Sequence, residues 1–446
     1  MHFAPRTGRL GDMNRLFLFS LLVFTAPAFA ADQNGFVSMF NGRDLAGWTN
    51  INCAPETWTV REGVIHCTGK PTGALRTTRQ YENFILEVEW RHLQFGGNSG
   101  VFIWGSPISA PGVPFLRGIE VQVLDHGYAT EFEKRTGKKS DWFTTHGDVF
   151  PIHGATMKPI GRSHGSRSFP SGEFSKGTPE WNHYRIVCNN GSLRLHVNGH
   201  EVSGGDECNY RKGYLALESE GAPVEFRNIR IKELPSTGAG ADVSAPLDQG
   251  WRPLFTGLDL RGWKSNDKIA ARWQVGGHLN LKDGPPGEAT LWTDAVFGDG
   301  VEFIIDCRPA KPAKGRSAAT AAVFVRGRDG KGIEVKLRTD AVFGDGVEFI
   351  IDCRSAKPAK GREAASAAVF VRGRDGKGIE VKLSGGDPGK FGRFSIATNG
   401  HGIVVKLNEK ETQRLELPAG APAKGAFGIA DIGGGVEFMN LHVRDL

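Results

Sequence analysis

The residues whose types and spacing could do chemistry are concentrated between Gly97 and Asp125. Residues 119–125 read Ile-Glu-Val-Gln-Val-Leu-Asp and alternate apolar with polar side chains. Because a strand turns successive side chains to opposite faces, Glu120 and Gln122 share one face while the apolar residues enter a core. A carboxylate beside an amide, with Asp125 at the strand's end, is a polar row of the kind that binds and transforms sugars. The alternative is an ordinary solvated strand face.

A second group of candidates follows in a long region without a regular strand pattern, residues 126–179. Segments this long within a compact domain are usually functional or disordered, and the aromatic and histidine content favours an ordered insertion packed over the same face. His146, Asp148 and His153, taken with Glu120, are candidates for a metal site or an acid/base cluster. The candidate ligands of a divalent metal ion are Glu120 and Asp148. Their spacing matches no standard zinc signature, and ordinary hydrogen-bonded loop residues are the alternative.

Aromatic and amide side chains near both segments could bind a sugar ring. Trp104, Phe115 and Trp142 are candidate stacking platforms, since an aromatic face suits the apolar side of a pyranose. Burial in the core is the alternative for each of them. Asn98 and Ser99 are candidates for polar contacts, because the glycines beside them let the backbone approach a ligand closely. A plain turn is the alternative there.

The elements that must position these residues are short strands separated by turns. Candidate strands of the first half are residues 57–60, 64–67, 84–91, 101–104, 119–124, 183–188, 192–197, 213–218 and 224–232. Asn-Gly pairs at 190–191 and 198–199 predict hairpin turns. Many short alternating strands predict an all-β chain, an antiparallel β-sandwich of jelly-roll type, whose concave face often takes a carbohydrate.

Charge and motif content exclude several classes of function. The chain has 446 residues and a formal net charge of +6 that is spread along it without a basic block, which argues against a nucleic-acid partner. The sequence contains no Walker loop, no GxGxxG fingerprint and no CxxC pair. Nucleotide-fold and dithiol-redox chemistry are therefore not indicated.

Residues 1–30 predict a secretory signal peptide. Arg15 precedes the apolar run 16–24, and Ala28-Phe29-Ala30 forms a cleavage signal. The apolar run is too short to span a membrane. We therefore expect an exported protein, periplasmic or extracellular, without a membrane span.

The rest of the chain contains two copies of one domain. The segment at 40–48 recurs at 255–263, and Val-Glu-Phe at 224–226 recurs at 436–438. These repeats predict a first domain at 36–234, a Gly/Ala/Ser/Pro-rich linker at 235–250 and a second, divergent domain at 251–446.

The second domain contains a further duplication. Residues 293–338 reappear as 339–384 with four differences. One 46-residue unit should fill the sandwich, so the other must extend a sheet, loop out or pair with another molecule, and its unpaired edges favour aggregation.

Six cysteines in an exported chain suggest disulfides. The local pairings are Cys53 with Cys67 and Cys188 with Cys208, although spacing alone does not determine connectivity. Cys307 and Cys353 occupy one position of the duplicated unit and predict a thiol that was originally unpaired.

Together these residues resemble the 3-keto-disaccharide hydrolase domain, a family of secreted bacterial proteins with a concanavalin A-like jelly roll. The resemblance covers nearly all of residues 36–234 and rests on a set of motifs: Phe40-Asn41-Gly42-x-Asp44-Leu45-x-Gly47-Trp48, Trp58-x-Val60-x-x-Gly63-Val64-Ile65, Asn98-Ser99-Gly100-Val101-Phe102, Gly118-Ile119-Glu120-Val121-Gln122-Val123-Leu124-Asp125, His146-Gly147-Asp148-Val149-Phe150, Trp181-Asn182-x-Tyr184-Arg185 and Glu225-Phe226-Arg227-Asn228-Ile229. The second domain keeps Glu334 but has Lys336 in place of the glutamine, and it lacks the histidine-bearing insertion. A binding or structural role is implied for it.

The resemblance implies cleavage of a glycosidic bond in a sugar already oxidised to a ketone at C3. Such a ketone acidifies the C2 hydrogen, so a base can remove it, the C1 substituent leaves by elimination and water adds to the enone. The enolate oxygen needs a metal ion or fixed donors. The roles that follow are Glu120 as base or metal ligand, Gln122 as donor to a sugar hydroxyl, Asp125 as ligand or acid, and His146, Asp148 and His153 as residues that close the site.

Two other functions fit the same pattern. A non-catalytic carbohydrate-binding β-sandwich would use the same concave face without chemistry. An endo-glucanase would place two carboxylates two residues apart on one strand, and Gln122 stands where the second should follow Glu120. The sugar, the linkage and the oligomeric state are not indicated.

Overall fold

The structure is a computed structural model of the 446-residue chain. It describes residues 31–282, 291–298, 300–309, 321–327, 352–353, 369–371, 379–381, 385–386, 390–399, 402–417, 424–431 and 436–446. The predicted signal peptide and most of the second 46-residue unit lie outside the described residues. Among those that are described, no helix combines the length and apolar character needed to cross a bilayer.

The first domain is built almost entirely from strands. Its elements in chain order are β1 (Val37–Ser38), β2 (Trp48–Ile51), a 3-10 turn (Pro55–Thr57), β3 (Trp58–Arg61), β4 (Val64–Cys67), β5 (Gly73–Thr77), β6 (Phe84–His92), β7 (Asn98–Gly105), β8 (Gly118–Leu124), α1 (Tyr128–Thr136), β9 (Val149–Ile152), β10 (Thr156–Pro159), β11 (Ser163–His164), β12 (Arg167–Ser168), β13 (Asn182–Asn189), β14 (Ser192–Val197), β15 (His200–Asn209), β16 (Tyr214–Ser219) and β17 (Val224–Glu233).

These strands form two antiparallel sheets around one apolar core. One sheet has the order β10-β15-β14-β13-β6-β17-β4-β3, with β1 paired to β17, and the other has the order β11-β12-β9-β8-β7-β16-β5-β2. Apolar side chains from both sheets meet in a single buried cluster, in which Leu86 and Tyr184 come from the first sheet and Val121 and Leu217 from the second. The prediction of an all-β, antiparallel jelly-roll sandwich is confirmed.

Strand prediction succeeded where alternation was regular and failed elsewhere. Each of the nine predicted strands of this domain corresponds to an observed strand, whereas β1, β2, β5 and β15 were not predicted. The insertion 126–179 also holds α1 and four short strands. Its strands β9, β12 and β11 extend the second sheet beside β8, and β10 joins the first sheet. The insertion therefore widens the sandwich at the edge where Glu120 lies.

Strand β8 has the orientation that its alternation predicted. Ile119, Val121 and Val123 lie in the core cluster, so Glu120 and Gln122 point to the other face of the sheet. On that face the register pairs Gln122 with Gly100 of β7.

The second domain repeats the sandwich with fewer described strands. Its elements are β18 (Arg252–Pro253), β19 (Trp263–Lys264), α2 (Asp267–Arg272), β20 (Trp273–Val275), β21 (Leu279–Leu281), β22 (Leu291–Phe297), β23 (Val301–Pro309), β24 (Ala321–Gly327), β25 (Asp352–Cys353), β26 (Val369–Val371), β27 (Ile379–Val381), β28 (Gly385–Gly386), β29 (Gly392–Asn399), β30 (Gly402–Leu407), β31 (Lys410–Glu416), β32 (Gly425–Asp431) and β33 (Val436–Asp445). The two main sheets have the orders β20-β21-β33-β23-β29-β30-β31 and β19-β22-β32-β24-β26-β27.

The duplicated unit enters this second sandwich in an unusual way. Strands β22, β23 and β24, which include the strands of the first unit, fill the two sheets, while β26 and β27 from the second unit extend one edge. Strand β26 pairs in parallel with β24, and the pairs are Phe324 with Phe370 and Val325 with Val371. Because the units are 46 residues apart, these are equivalent residues of the two copies. One of the expected outcomes, extension of a sheet, is thus observed for this part of the second unit.

The linker and one loop of the first domain join the two sandwiches. The linker packs along the first domain, where Asp248 pairs with Arg76 at 2.6 Å, and it includes a 3-10 turn (Ala241–Val243). The loop between β7 and β8 contacts the second domain. The Gly112 N–H donates to Asp306 Oδ2 at 2.7 Å, and Asn440 Nδ2 donates to the Val113 carbonyl at 2.9 Å.

The predicted disulfides are not formed in the structure. Cys53, Cys67, Cys188 and Cys208 are free thiols, all of them buried. Burial raises the pKa of Cys67 to about 11, so this thiol stays protonated at neutral pH and behaves as a small apolar side chain.

Candidate active site

Three glutamates converge on the face of the sheet that looks away from the core. The register of β16 with β7 pairs Leu217 with Val101, which brings Glu218 beside Gly100. A Cβ atom at Gly100 would lie 3.0 Å from Glu120 Oε1 and 3.0 Å from Glu218 Oε2. The two carboxyl groups therefore approach each other over Gly100, a position of β7 that has no side chain.

Glu220 completes this cluster, hereafter the carboxylate trio of Glu120, Glu218 and Glu220. Glu220 lies close enough to the other two groups for its charge to raise the pKa of both Glu120 and Glu218. Asn98 Nδ2 also donates to Glu220 Oε2. The Glu218 Oε2 atom is buried and has no hydrogen-bond partner among the described residues. A buried polar atom without a partner is costly and is typical of a position reserved for function.

Burial raises the pKa values of the three carboxyl groups of the trio into or above the neutral range. Glu120 is 7% exposed and Glu218 is 1% exposed. Burial raises the pKa of Glu120 to about 8, the charge of Glu220 adds to the rise, and Arg167 opposes it. Burial, Glu220 and Glu120 raise the pKa of Glu218 well above its ordinary value. Burial raises the pKa of Glu220 to about 7, against the lowering effects of Glu218 and Arg135. Carboxyl groups tuned in this way can exchange protons near neutral pH.

Amide side chains orient the trio. Gln122 Nε2 donates to Asn98 Oδ1 at 3.0 Å and to the Ser99 carbonyl at 3.1 Å. Asn98 in turn donates to Glu220. The predicted site residues Asn98, Gln122 and Glu120 are thus brought together, and their roles toward a sugar stay predictions.

Arg167 of β12 supplies the positive charge of this face. Its Nη1 donates to Asp148 Oδ2 at 2.9 Å and contacts Gln122 Oε1 at 3.3 Å. The guanidinium carbon lies 3.3 Å from the ring centre of Phe150 and 5.2 Å from that of Trp142. Trp142 is 41% exposed. An exposed indole beside a stacked guanidinium can receive the apolar face of a sugar ring, so Trp142 stays a candidate platform.

A bulge before β9 places Asp148 and His146. The Gly147 N–H donates to the Gln122 carbonyl, and the Gln122 N–H donates to the Asp148 carbonyl, so two residues oppose one. Gly147 has φ +70°, the left-handed conformation that such a bulge requires of its first residue. From the core, Tyr184 donates to the Gln122 carbonyl at 2.7 Å.

Asp125 holds loops together and does not join the trio. Its Oδ1 accepts from the N–H and hydroxyl of Thr178, and its Oδ2 accepts from the N–H groups of Gly96 and Gly127. Burial alone would raise the pKa of Asp125, but these hydrogen bonds lower it to about 2. A carboxylate with four donors already in place is neither an acid at neutral pH nor an open metal ligand. The structure thus places Asp125 outside the carboxylate trio, and the catalytic role predicted for it stays a prediction.

Two residues predicted to bind substrate are instead buried in the interior. Trp104 is 0% exposed and lies in the core cluster, where its Nε1 donates to the Glu82 carbonyl. Trp104 has φ +52°, and this left-handed residue breaks the alternation that would have turned the ring outward. Ser99 is also fully buried and donates to the Glu218 carbonyl at 2.8 Å. It positions β16 and does not face a ligand.

His153 and Asp148 do not join Glu120 in a metal site. His153 follows β9 at the end opposite to His146, where its ring stacks on Phe115 at 5.7 Å between ring centres. The Asp148 carboxylate is fully buried and is engaged by Arg167 and by the Thr144 N–H. A guanidinium in contact with Asp148 repels a metal ion, so the predicted Glu120–Asp148 pair does not fit a divalent cation.

A cavity of about 450 Å³ lies on the other sheet of the first domain, lined among others by Glu87, Glu89 and Arg230. There burial raises the pKa of Glu87, but hydrogen bonds from Arg230 and Arg185 outweigh it and lower the pKa. Carboxylates that are ion-paired and ionised are poor proton donors, so the chemistry favours the face of the carboxylate trio.

Glu218, Glu220 and Arg167 were missed by the sequence analysis. Glu218 lies on a predicted strand, and the Glu218-x-Glu220 spacing is the pair of carboxylates that was sought on the strand of Glu120. That spacing was a usable signal. Arg167 carries none, because its strand has two residues.

The fold and this carboxylate-lined face define a carbohydrate-active β-sandwich protein. The chain belongs to the family described as the 3-keto-alpha-glucoside-1,2-lyase-like domain, which matches residues 35–232 and 250–444. A 3-keto-disaccharide hydrolase of Bacteroides thetaiotaomicron is 23% identical over 235 residues, 46% of this chain and 80% of that protein.

Solved structures of similar proteins include two from Parabacteroides distasonis, both inferred glycosyl hydrolases. One is 23% identical with a TM-score of 0.36 and covers 45% of this chain and 95% of its own. The other is 20% identical with a TM-score of 0.33 and covers 45% of this chain and 99% of its own.

Proposed function

We propose that the first domain cleaves glycosidic bonds of sugars carrying a ketone at C3, such as 3-keto-disaccharides, and that the carboxylate trio performs the proton transfers. The observation that carries this proposal is the pair Glu120 and Glu218, which face each other across Gly100 with pKa values raised into or above the neutral range. Such groups can both accept and donate protons at the pH where proteins operate.

The chemistry balances without a redox partner. A carboxylate removes the C2 proton, and the electron pair moves toward the C3 carbonyl to form an enolate. The enolate then expels the C1 oxygen, which takes a proton from a carboxylic acid, and leaves a C1=C2 double bond conjugated with the ketone. Water adds its oxygen to C1 and a proton to C2, so the sum of both stages is hydrolysis.

Glu220 and Glu120 divide the two proton transfers. Glu220 has the lower pKa, about 7, and is the first of the three to ionise as the pH rises, which suits the base. Glu120, at about 8, keeps its proton at neutral pH and suits the acid that protonates the leaving oxygen. Glu218, whose pKa is raised well above its ordinary value, stays protonated beside them, and the three groups titrate as a coupled set.

Arg167 supports the negative charge that develops on the enolate oxygen. Both of its hydrogen bonds to described residues are made by Nη1, and a guanidinium has five donors in all. The remaining donors can meet an oxyanion, and a fixed cation in a covered site lowers the energy of such an intermediate.

The test is a comparison of oxidised and ordinary sugars in heavy water. We expect 3-ketotrehalose or a 3-keto-β-glucoside to be cleaved with deuterium incorporated at C2, and the unoxidised sugars to stay intact. Cleavage of unoxidised sugar without exchange at C2 would indicate a glycosidase. Binding without cleavage, measured by calorimetry, would indicate the carbohydrate-binding alternative, for which the exposed Trp142 is the supporting observation.

A further inference from the structure

The insertion contains a second cluster of ligating side chains, separate from the carboxylate trio. His126, His146 and Glu173 each offer one ligand atom, and the three atoms lie within 4.8 Å of one another. His126 Nε2 is 3.1 Å from Glu173 Oε1 and 2.7 Å from Ser175 Oγ. The ring centres of the two histidines are 5.8 Å apart.

The buried member of this cluster has an atom without a partner. His146 is 2% exposed, its Nδ1 is 3.4 Å from Thr145 Oγ1, and its Nε2 has no hydrogen-bond partner among the described residues. A buried imidazole nitrogen without a partner loses the hydration that it had in water and gains nothing in return. A bound ion at that atom would remove this cost.

The three residues of this cluster come from parts of the chain that are distant in sequence and are held together in the fold. His126 directly follows Asp125, His146 directly precedes the bulge at Gly147, and Glu173 belongs to the end of the insertion. The hydrogen bonds from Thr178 to Asp125 bring that end beside the start. By accepting these hydrogen bonds, Asp125 holds the two ends of the insertion together.

We propose that His126, His146 and Glu173 bind a divalent transition-metal ion of the zinc class, which fastens the insertion onto the first sandwich. Two imidazoles and one carboxylate with a free fourth position form a donor set that zinc uses in proteins, and such ions favour nitrogen ligands where calcium and magnesium favour oxygen. In a tetrahedral site with bonds of about 2.1 Å the ligand atoms are roughly 3.4 Å apart. The cluster therefore has to contract only slightly when it binds the ion.

His126 lies just past the end of β8 at Leu124, at the start of the insertion. A metal that joins the start, the middle and the end of a long insertion removes conformational freedom from the unbound chain, so its binding energy appears as stability.

The test uses the full-length, untagged chain, stripped with a chelator and dialysed. We expect one equivalent of Zn²⁺ by equilibrium dialysis with elemental analysis, and ligand-field absorption in the visible range when Co²⁺ is added. His126→Ala and Glu173→Gln should each weaken zinc binding at least about tenfold and remove the Co²⁺ spectrum. Both residues are partly or largely exposed, so these variants should fold.

Two matched variants complete the experiment. His164→Ala changes an exposed residue of the insertion and Glu180→Gln an exposed residue directly after it, both outside the cluster, and these variants should bind zinc as the parent does. Zinc affinity unchanged in His126→Ala and Glu173→Gln, or no zinc retained by the parent, would overturn the proposal. Because no sugar is used, either result leaves the function proposed for the carboxylate trio to its own test.

Discussion

The two domains of this chain share one frame and differ in what they place on it. The register that sets Glu218 beside Gly100 in the first domain recurs in the second, where Ala430 of β32 pairs with Ala322 of β24. By the same alignment Glu220 corresponds to Ile432, which lies outside the described residues. The second domain has therefore exchanged two acidic residues of the trio for apolar ones and the glycine between them for alanine.

This difference shows that the first domain keeps its site at a cost in folding stability. Burying a carboxyl group without full hydrogen bonding is unfavourable, and the Glu218 Oε2 atom is buried without a partner. The second domain has alanine and isoleucine at the aligned positions of its sequence. A frame that folds with either set indicates that the glutamates are not needed for folding, which leaves function as the reason for their presence.

The largest expected effect follows from removing a proton carrier. We expect Glu120→Gln and Glu220→Gln each to lower kcat on a 3-keto-glucoside about 10³-fold, since general acid–base catalysis contributes roughly 10²- to 10⁴-fold. Steady-state kinetics measures this. Glu334→Gln combined with Glu380→Gln changes the corresponding glutamates of the second domain and should leave kcat unchanged. A large loss of kcat in that double variant would show that the second domain, and not the first, carries out catalysis.

The next largest effect is expected at Gly100, where the second domain has alanine. Gly100→Ala introduces the residue that the second domain has, and the added Cβ would lie 3.0 Å from Glu120 Oε1 and Glu218 Oε2. We expect kcat to fall about 10²-fold, because small displacements of catalytic groups are costly, while circular dichroism shows a folded protein. Ala322→Gly is the reverse change in the second domain and should not alter kcat. Equal activity of Gly100→Ala and the parent would show that the two carboxyl groups do not work across this gap.

A smaller effect is expected at the exposed indole of the insertion, which the second domain lacks. Trp142→Ala should raise KM about tenfold with little change in kcat, because sugar stacking on an aromatic ring contributes on the order of 1 kcal/mol. Phe95→Ala removes another exposed aromatic side chain of the first domain and should leave KM unchanged. A Trp142→Ala variant with unaltered KM would exclude this ring from substrate binding.

The smallest effect concerns the pH dependence of stability. The folded-state pKa of Glu218 is raised, so between its ordinary value near 4.5 and the folded value the native state binds more protons than the unfolded state. Stability therefore falls as the pH rises through that window, at up to about 1.4 kcal/mol per pH unit. Glu218→Gln removes this slope and should be more stable than the parent at pH 8 relative to pH 5.

Thermal denaturation at both pH values measures this prediction. Glu225→Gln, which changes an ion-paired glutamate of the other sheet, serves as the control and should not gain stability with rising pH. A parent and a Glu218→Gln variant with parallel pH profiles would contradict the raised pKa.

Much of the frame could be predicted from local sequence, because period-two alternation is a property of neighbouring residues. It placed Glu120 and Gln122 on the correct face of β8 and found most strands. It could not show that Glu218 and Glu220 come beside Glu120, since strand β16 reaches β7 only through a pairing that spans more than a hundred residues. Trp104 was misplaced because one left-handed residue reverses the alternation, and nothing in the local pattern announces it.

The parallel pairing of Phe324 with Phe370 carries a consequence for how the second domain assembles. Residues 301–305 and 347–351 have identical sequences, as do residues 321–327 and 367–373. Either copy would satisfy the same neighbours, so side-chain complementarity does not select between them and only chain connectivity can. The folding landscape of this half of the molecule is therefore nearly degenerate, and copies from two chains can exchange places at no cost in packing.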